Sequence, residues 1–303
     1  MTFLLALVGV LGVAASGPLI AAFPAVPALS MALWRNAVGT AVMAVPALVT
    51  DPRGFGRLRR REWGWSALAA VSLALHFAFF MTSIRMTTVA AATALVCLQA
   101  AWIALFQSLR GTRYGWRVGL GVLLAFSGVL VITGFDIGSG TEALIGDGLA
   151  LVGGVLAAAY TLSGSKARAT MSTSSYTTIC YGLTSVLLLL MCLLAGEPIW
   201  GFDLNGWIGI LALAVCSQIL GHSAFNHLLS SLGPLTVSTL ILLEIPGAAL
   251  LAALFLGQVL PAGTVVGLAV ILVGLFFVVR GQGRAQAKAA SLAEPPAKEQ
   301  GGT

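Results

Sequence analysis

Charge is scarce in this sequence. Only 9% of its 303 residues are charged, where a soluble domain carries roughly 25%; 58% are hydrophobic. A chain this long and this apolar cannot hide its greasy surface in one soluble core, which points to the bilayer. Cysteine is also sparse. Cys97, Cys180, Cys192 and Cys216 form no C-x-x-C pair and all fall in apolar runs. They read as buried free thiols, which excludes a disulfide framework and a zinc site. Catalytic signatures are missing too: there is no H-E-x-x-H, G-x-S-x-G, P-loop or dinucleotide fingerprint. One central carboxylate does not make a paired-aspartate protease, and nothing here would bind nucleotide to drive a pump. An enzyme, a cofactor and a metal are therefore not expected. The net charge of +6 sits in short connections and the tail, which is a pattern of membrane orientation rather than of nucleic-acid binding.

What is present is a series of long apolar windows. Ten appear, at 3–23, 28–49, 64–84, 87–109, 116–134, 146–165, 174–195, 206–228, 234–256 and 262–279. Each is near the ~20 residues that a spanning helix needs. The first, MTFLLALVGVLGVAASG, has no Lys or Arg ahead of it and runs on to Phe23. It reads as an uncleaved span rather than a secretory signal. The expected fold is an all-α integral membrane protein of ten transmembrane helices. From Gly281 to residue 303 a polar tail is expected to be disordered.

The charges test this count. With the N-terminus in the cytoplasm, ten spans return the C-terminus there. The cytoplasmic loops and tail then hold fourteen of the 16 basic residues, among them Arg53, Arg57, Arg59, Arg60 and Arg61. The outer loops hold Asp136, Glu142, Asp147, Glu197 and Asp203. Such asymmetry predicts a multi-pass protein of the inner (plasma) membrane with both termini cytoplasmic.

The chain also repeats. Gly111, Gly121, Gly128 and His76 recur as Gly257, Gly267, Gly274 and His222, each 146 residues on, and ALVG at 6–9 recurs at 150–153. Two five-helix halves follow, 1–135 and 143–280. Five is odd, so the second half enters from the opposite face, giving an inverted repeat of the kind common in secondary transporters.

Polar groups inside these runs mark a candidate site. A charge at mid-bilayer costs ~2.5–3.5 kcal/mol on insertion scales, so it normally faces a protein interior or a cavity. Arg35 and Glu244 are the two clear cases. Pro246 cannot donate a hydrogen bond to Leu242, so a freed carbonyl and a gating break are expected beside Glu244. Gln218, His222 and Asn226, spaced four apart, are expected to line one helical face. Ser72, His76 and Phe80 match them in the first half. His227 reads as interfacial. Gln99 answers Glu244 within one residue of the repeat. Trp102, with Trp34, Phe79 and Tyr160, would supply an apolar or cation-binding wall. Gly9, Gly12, Gly121, Gly128, Gly153 and Gly154 suit close helix packing.

These residues carry a family resemblance. LHFAFFMTSIRMTTVAAATALVCLQAAWIALF (75–106) resembles the middle of the first EamA repeat of the drug/metabolite transporter superfamily. GHSAFNHLLSSLGPLTVSTLILLEIPGAALLAALFLGQ (221–258) resembles the matching part of the second. The resemblance implies ten helices in two inverted repeats around a central cavity, and transport of amino acids or similar metabolites, often outward, by alternating access. It places a polar or acidic residue and then Pro in the fourth and ninth spans. Here Ile245 separates Glu244 from Pro246, and Ala100 follows Gln99. The break is therefore expected to be shifted in one half and absent from the other. After LFLG the family's usual acidic residue is Gln258.

The first expectation is thus a small-metabolite exporter. Glu244, Gln218 and Asn226 would orient the polar head, Arg35 would face a carboxylate, and protons would exchange at Glu244 or His222. The alternative is a carrier of cationic drugs or choline-like compounds, with Glu244 as the cation site. A membrane enzyme or a sensor without turnover is the third reading, and no catalytic set or output domain supports it. The expected partners are the cargo, protons and the lipid bilayer, in a monomer or a homodimer.

Overall fold

The computed structural model describes residues 2–136, 140–259 and 262–293. Among them there is no strand. The helices are α1 (Thr2–Ala14), α2 (Ser16–Ala22), α3 (Ala28–Thr50), α4 (Arg60–Met86), α5 (Val89–Cys97), α6 (Gln99–Leu109) and α7 (Trp116–Asp136). Then follow α8 (Thr141–Arg168), α9 (Thr173–Ala195), α10 (Leu204–Leu213), α11 (Ser223–Ile241), α12 (Glu244–Leu256) and α13 (Ala262–Ala293). A wide π-helical segment, Ala214–His222, joins α10 to α11.

Among the described residues, seven helical stretches are long and apolar enough to cross a membrane: Thr2–Ala22, Ala28–Thr50, Arg60–Met86, Val89–Leu109, Thr141–Arg168, Thr173–Ala195 and Leu204–Ser238. Three shorter apolar helices, Trp116–Gly128, Glu244–Leu256 and Val265–Val278, accompany them. The chain is a multi-pass, all-helical membrane protein.

Local chemistry sets the helix ends. Thr88, Ser172 and Asp203 cap α5, α9 and α10 by accepting the N–H of the residue three further on, at 3.1, 3.1 and 2.8 Å. Inside α11, Gly233 takes φ 77° and ψ 165°. Pro234 drives the residue before it out of helical conformation, and glycine accepts the left-handed φ. At the far end, α13 runs from Ala262 to Ala293. From Arg284 on, the alanines of this last stretch favour helix. Residues 294–303 of the tail, and 137–139 at the seam, lie outside the described residues.

Glycines permit the closest crossings. A Cβ on Gly121 would lie 2.4 Å from the Gly274 carbonyl oxygen, and one on Gly128 would lie 2.7 Å from that of Gly267. The residues that recur at 146 therefore meet in crossed order, which makes α7 and α13 antiparallel partners. A Cβ on Gly12 of α1 would likewise lie 2.4 Å from Cys216 O in the π segment. Other packed pairs include α4 with α8, α3 with α9, α4 with α9, α5 with α8, and α5 with α12.

Contacts sort the connections into two ends. At one, Arg85 Nη2 donates to the carbonyls of Phe23 and Val26 at 3.1 and 3.0 Å, and the connection 196–203, with Glu197 and Asp203, lies alongside. At the other, Ser66 Oγ reaches Met171 Sδ at 3.6 Å and Arg168 Nη2 donates to Ser230 Oγ at 3.1 Å, next to the arginine-rich 53–61. We call these the acidic end and the basic end.

Candidate functional site

Two helices break midway through the bundle. The α5–α6 break falls at Leu98 (φ −59°, ψ −5°), and the α11–α12 break ends at Leu243 (φ −68°, ψ −11°). The next residues are Gln99 and Glu244, each the first of its half-helix. The break expected to be missing from the fourth span is thus present without a proline. Gly154 of α8 approaches so closely there that a Cβ would lie 2.9 Å from Val96 O and 3.0 Å from Leu95 O.

The freed carbonyl also differs from expectation. Because Pro246 lacks an N–H, the Ile245 N–H turns to Leu242 O at 3.2 Å. Ile241 O is the group left over, and it accepts the Cys97 thiol at 3.8 Å. Pro246 itself lies in the first turn of α12, where a missing donor costs little.

A cavity of ≈ 50 Å³ lies between the halves. A water needs ~10–15 Å³ on this measure, so only a handful fit. Its polar lining is Ser16, His76, Gln99, Tyr160, Thr161, His222, Asn226 and Glu244, and its aromatic lining includes Phe77, Phe80 and Phe225. From mid-membrane it extends past Leu229 and Val237 toward the basic end. Seven of the residues singled out from the sequence therefore meet here: His76, Phe80, Gln99, Tyr160, His222, Asn226 and Glu244.

Arg35, Gln218, Trp102 and Pro246 do not line it. Arg35 is fully buried just behind the wall. Its guanidinium lies over the Phe77 ring at 4.2 Å, Nε donates to Gln218 Oε1 at 2.9 Å, and Nη1 donates to Ser16 Oγ at 3.4 Å. Nη2 has no partner. Among the described residues no carboxylate lies within ion-pair distance of Arg35, although Glu244 is within its electrostatic reach. Gln218 is committed at both ends, since its Nε2 donates to Asn36 Oδ1 at 3.1 Å. The wider turn of the π segment rotates it away from the face of His222 and Asn226, so the three-residue stripe is split. Trp102 packs on Phe126 at 4.9 Å and Phe106 at 6.2 Å, with a buried, unpartnered Nε1.

Asn226 ties the cavity wall together. Its Nδ2 donates to Tyr160 Oη at 2.6 Å and to Tyr181 Oη at 2.9 Å, and its Oδ1 accepts from Tyr160 Oη at 2.9 Å. His76 Nδ1 lies 3.0 Å from Gly153 O. A carbonyl only accepts, so this nitrogen carries the hydrogen and Nε2 is left to receive a proton. The His222 ring makes no hydrogen bond among the described residues; it meets Phe77 edge-on at 5.3 Å. Sequence reasoning missed Ser16, Asn36, Phe77 and Tyr181. Asn36 and Phe77 directly follow Arg35 and His76, and that adjacency was the available signal.

Comparison with known proteins matches the EamA-like transporter family to residues 1–134 and again to 144–280. The chain belongs to this family. A relative from Archaeoglobus fulgidus described as an uncharacterized transporter is 26% identical over 200 residues, spanning 63% of this chain and 67% of the relative. A solved crystal structure shares the fold with a TM-score of 0.66 at 18% identity, over 97% of this chain and 99% of that one. Family and relative together make this a membrane transporter of small molecules.

Proposed function

We propose that the protein exports amino acids or similar zwitterionic metabolites by alternating access between two inverted five-helix repeats, 1–135 and 143–280. The observation that carries this reading is the carboxylate of Glu244 lining a mid-membrane cavity, with the buried guanidinium of Arg35 just behind its wall and the two not paired directly. A cargo with its own opposite charges compensates both: its ammonium at Glu244 and its carboxylate toward Arg35, with Phe77, Phe80 and Phe225 against the side chain. Uncompensated buried charges are costly, so bound cargo stabilises the closed site.

Ten spans are supported by the two separate family matches and by the antiparallel pairing of α7 with α13. The helix contacts also have two-fold symmetry. If the halves are superposed in order, α4 on α8 becomes the π segment on α1, while α3 on α9 and α5 on α12 map onto themselves. The basic end is cytoplasmic by the charge rule, with both termini there in the inner membrane. Glu244 or His222 exchanges the coupling proton. A cationic drug or choline-like cargo is the second reading: Glu244 and the aromatic lining favour it, and the fixed charge of Arg35 opposes it.

The test is flux in proteoliposomes with a pool of labelled amino acids, with and without an imposed pH gradient, comparing wild type with Glu244→Gln. The reading expects gradient-sensitive flux that is lost in the variant. Gradient-insensitive flux retained by Glu244→Gln overturns the role of Glu244. Flux of organic cations alone transfers the protein to the second reading.

A further inference from the structure

The two ends of the bundle are fastened differently. At the acidic end the connection 196–203 runs from α9 to α10 and crosses onto α3 of the other half. Ser30 Oγ donates to Pro198 O at 2.7 Å, and Trp34 Nε1 donates to Ile199 O at 2.8 Å. Trp34 also packs edge-on against Trp200 at 4.4 Å and Trp207 at 5.2 Å, and those two meet at 5.6 Å. Part of the connection faces outward. Trp200 is 62% exposed, and a recess of ≈ 300 Å³ separates residues 200–203 from Ala25 and Val26. Two hydrogen bonds and an aromatic stack fasten this strap to α3, while Ile199 and Phe202 rest on the core and Phe202 meets Trp207 at 5.7 Å.

Under the repeat the equivalent connection is 51–59, at the basic end. It closes on itself through the Arg57–Asp51 ion pair, an exposed contact. Among the described residues no hydrogen bond joins it to α9. The cavity, too, extends toward that end, past Leu229 and Val237. The acidic-end connection is clasped onto the other half, whereas at the basic end the halves meet through α4, by Ser66 on Met171 and Glu62 on Thr170, and not through 51–59; the space lies nearer that end.

We infer that the 196–203 strap, fastened by Ser30 and Trp34, is the gate of the acidic end, and that releasing these contacts admits solvent to the central cavity from that side. The inference rests on the alternating-access reading. Both donors belong to side chains of α3 and both acceptors are strap carbonyls, so one small displacement of α3 against the strap breaks both bonds together. Separating Trp34 from Trp200 and Trp207 breaks the stack in the same motion. That coupling makes the gate two-state.

The test needs no cargo. Thr161 lines the cavity, so Thr161→Cys, in a chain whose four native cysteines are replaced, reports solvent entry. A membrane-impermeant maleimide is applied from each face in turn. Slow labelling from the acidic face is expected with the strap intact, and several-fold faster labelling in Ser30→Ala/Trp34→Phe. Ser30→Thr, which keeps the hydroxyl donor, should label like the parent. A second arm keeps Cys192, whose sulfur lies 3.9 Å from Ser30 Oγ, and adds Ser30→Cys. Oxidation should then suppress labelling from the acidic face, and reductant should restore it. Labelling from that face that is already fast in the parent, or unchanged by both the double variant and the disulfide, overturns the gate. Loss of amino-acid flux with these labelling patterns preserved would count against the proposed cargo and leave the gate standing.

Discussion

Two hinges, at Leu98 and at Leu243, have nearly the same backbone angles and sit at matching places in the two halves. One precedes Gln99 and has no proline; the other precedes Glu244 and has Pro246 in its first turn. Proline is therefore not what makes the break. In the first half Gly154 packs onto the carbonyls of Leu95 and Val96, so tertiary packing does there what proline reinforces in the second. Geometry is shared, and chemistry is not: the carboxylate and the π segment both belong to the second half.

The sharpest way to break this comparison is to make the two hinges chemically alike. Glu244→Gln should reduce cargo flux by roughly ten- to a hundredfold, the equivalent of one lost hydrogen bond to a charged group. Adding Gln99→Glu should not restore it, because Arg35 is fastened to Gln218 and Ser16 for the second-half site; initial rates in vesicles check both. Next in size, Gln218→Ala strands Arg35 Nε and Asn36 Oδ1 at once. It should destabilise the protein by ~1–3 kcal/mol, read as a lower melting temperature in detergent, with Gln218→Glu recovering part of the loss.

Gly154→Ala tests the proline-free hinge. Its Cβ would press on two backbone carbonyls, and overpacking of this kind costs ~1–3 kcal/mol; the melting temperature should fall. Pro246→Ala should change stability by under ~1 kcal/mol, because the equivalent hinge exists without proline and Ala fits a first helical turn. A large loss would show that the second hinge depends on its proline after all. The smallest effect belongs to Trp102→Phe, which removes an unpartnered N–H. Flux and melting temperature should stay within ~0.5 kcal/mol of wild type.

Much of this architecture was legible because hydropathy and helix length speak the same physical language. The apolar windows, the polar cavity residues and the small residues at close crossings follow from burial alone. Leu98 gave no such signal: AAATALVCLQAA contains neither Gly nor Pro, and its kink depends on a helix more than fifty residues away. AVCSQILGH reads as ordinary α-helix, yet one widened turn sends Gln218 toward Asn36 and leaves His222 at the cavity. Identity of polar residues was readable, while their direction depended on backbone detail that periodicity does not carry.

Arg35 has one more consequence. A permanent positive charge fixed at mid-depth, tied to α2 through Ser16 and to the π segment through Gln218, is an electrostatic barrier to stray cations, of the sort that arginine provides in selective pores. A sodium or potassium ion in the cavity would meet that repulsion. A cavity guarded in this way would pass a cargo that brings its own counter-charge and hold back a bare metal cation.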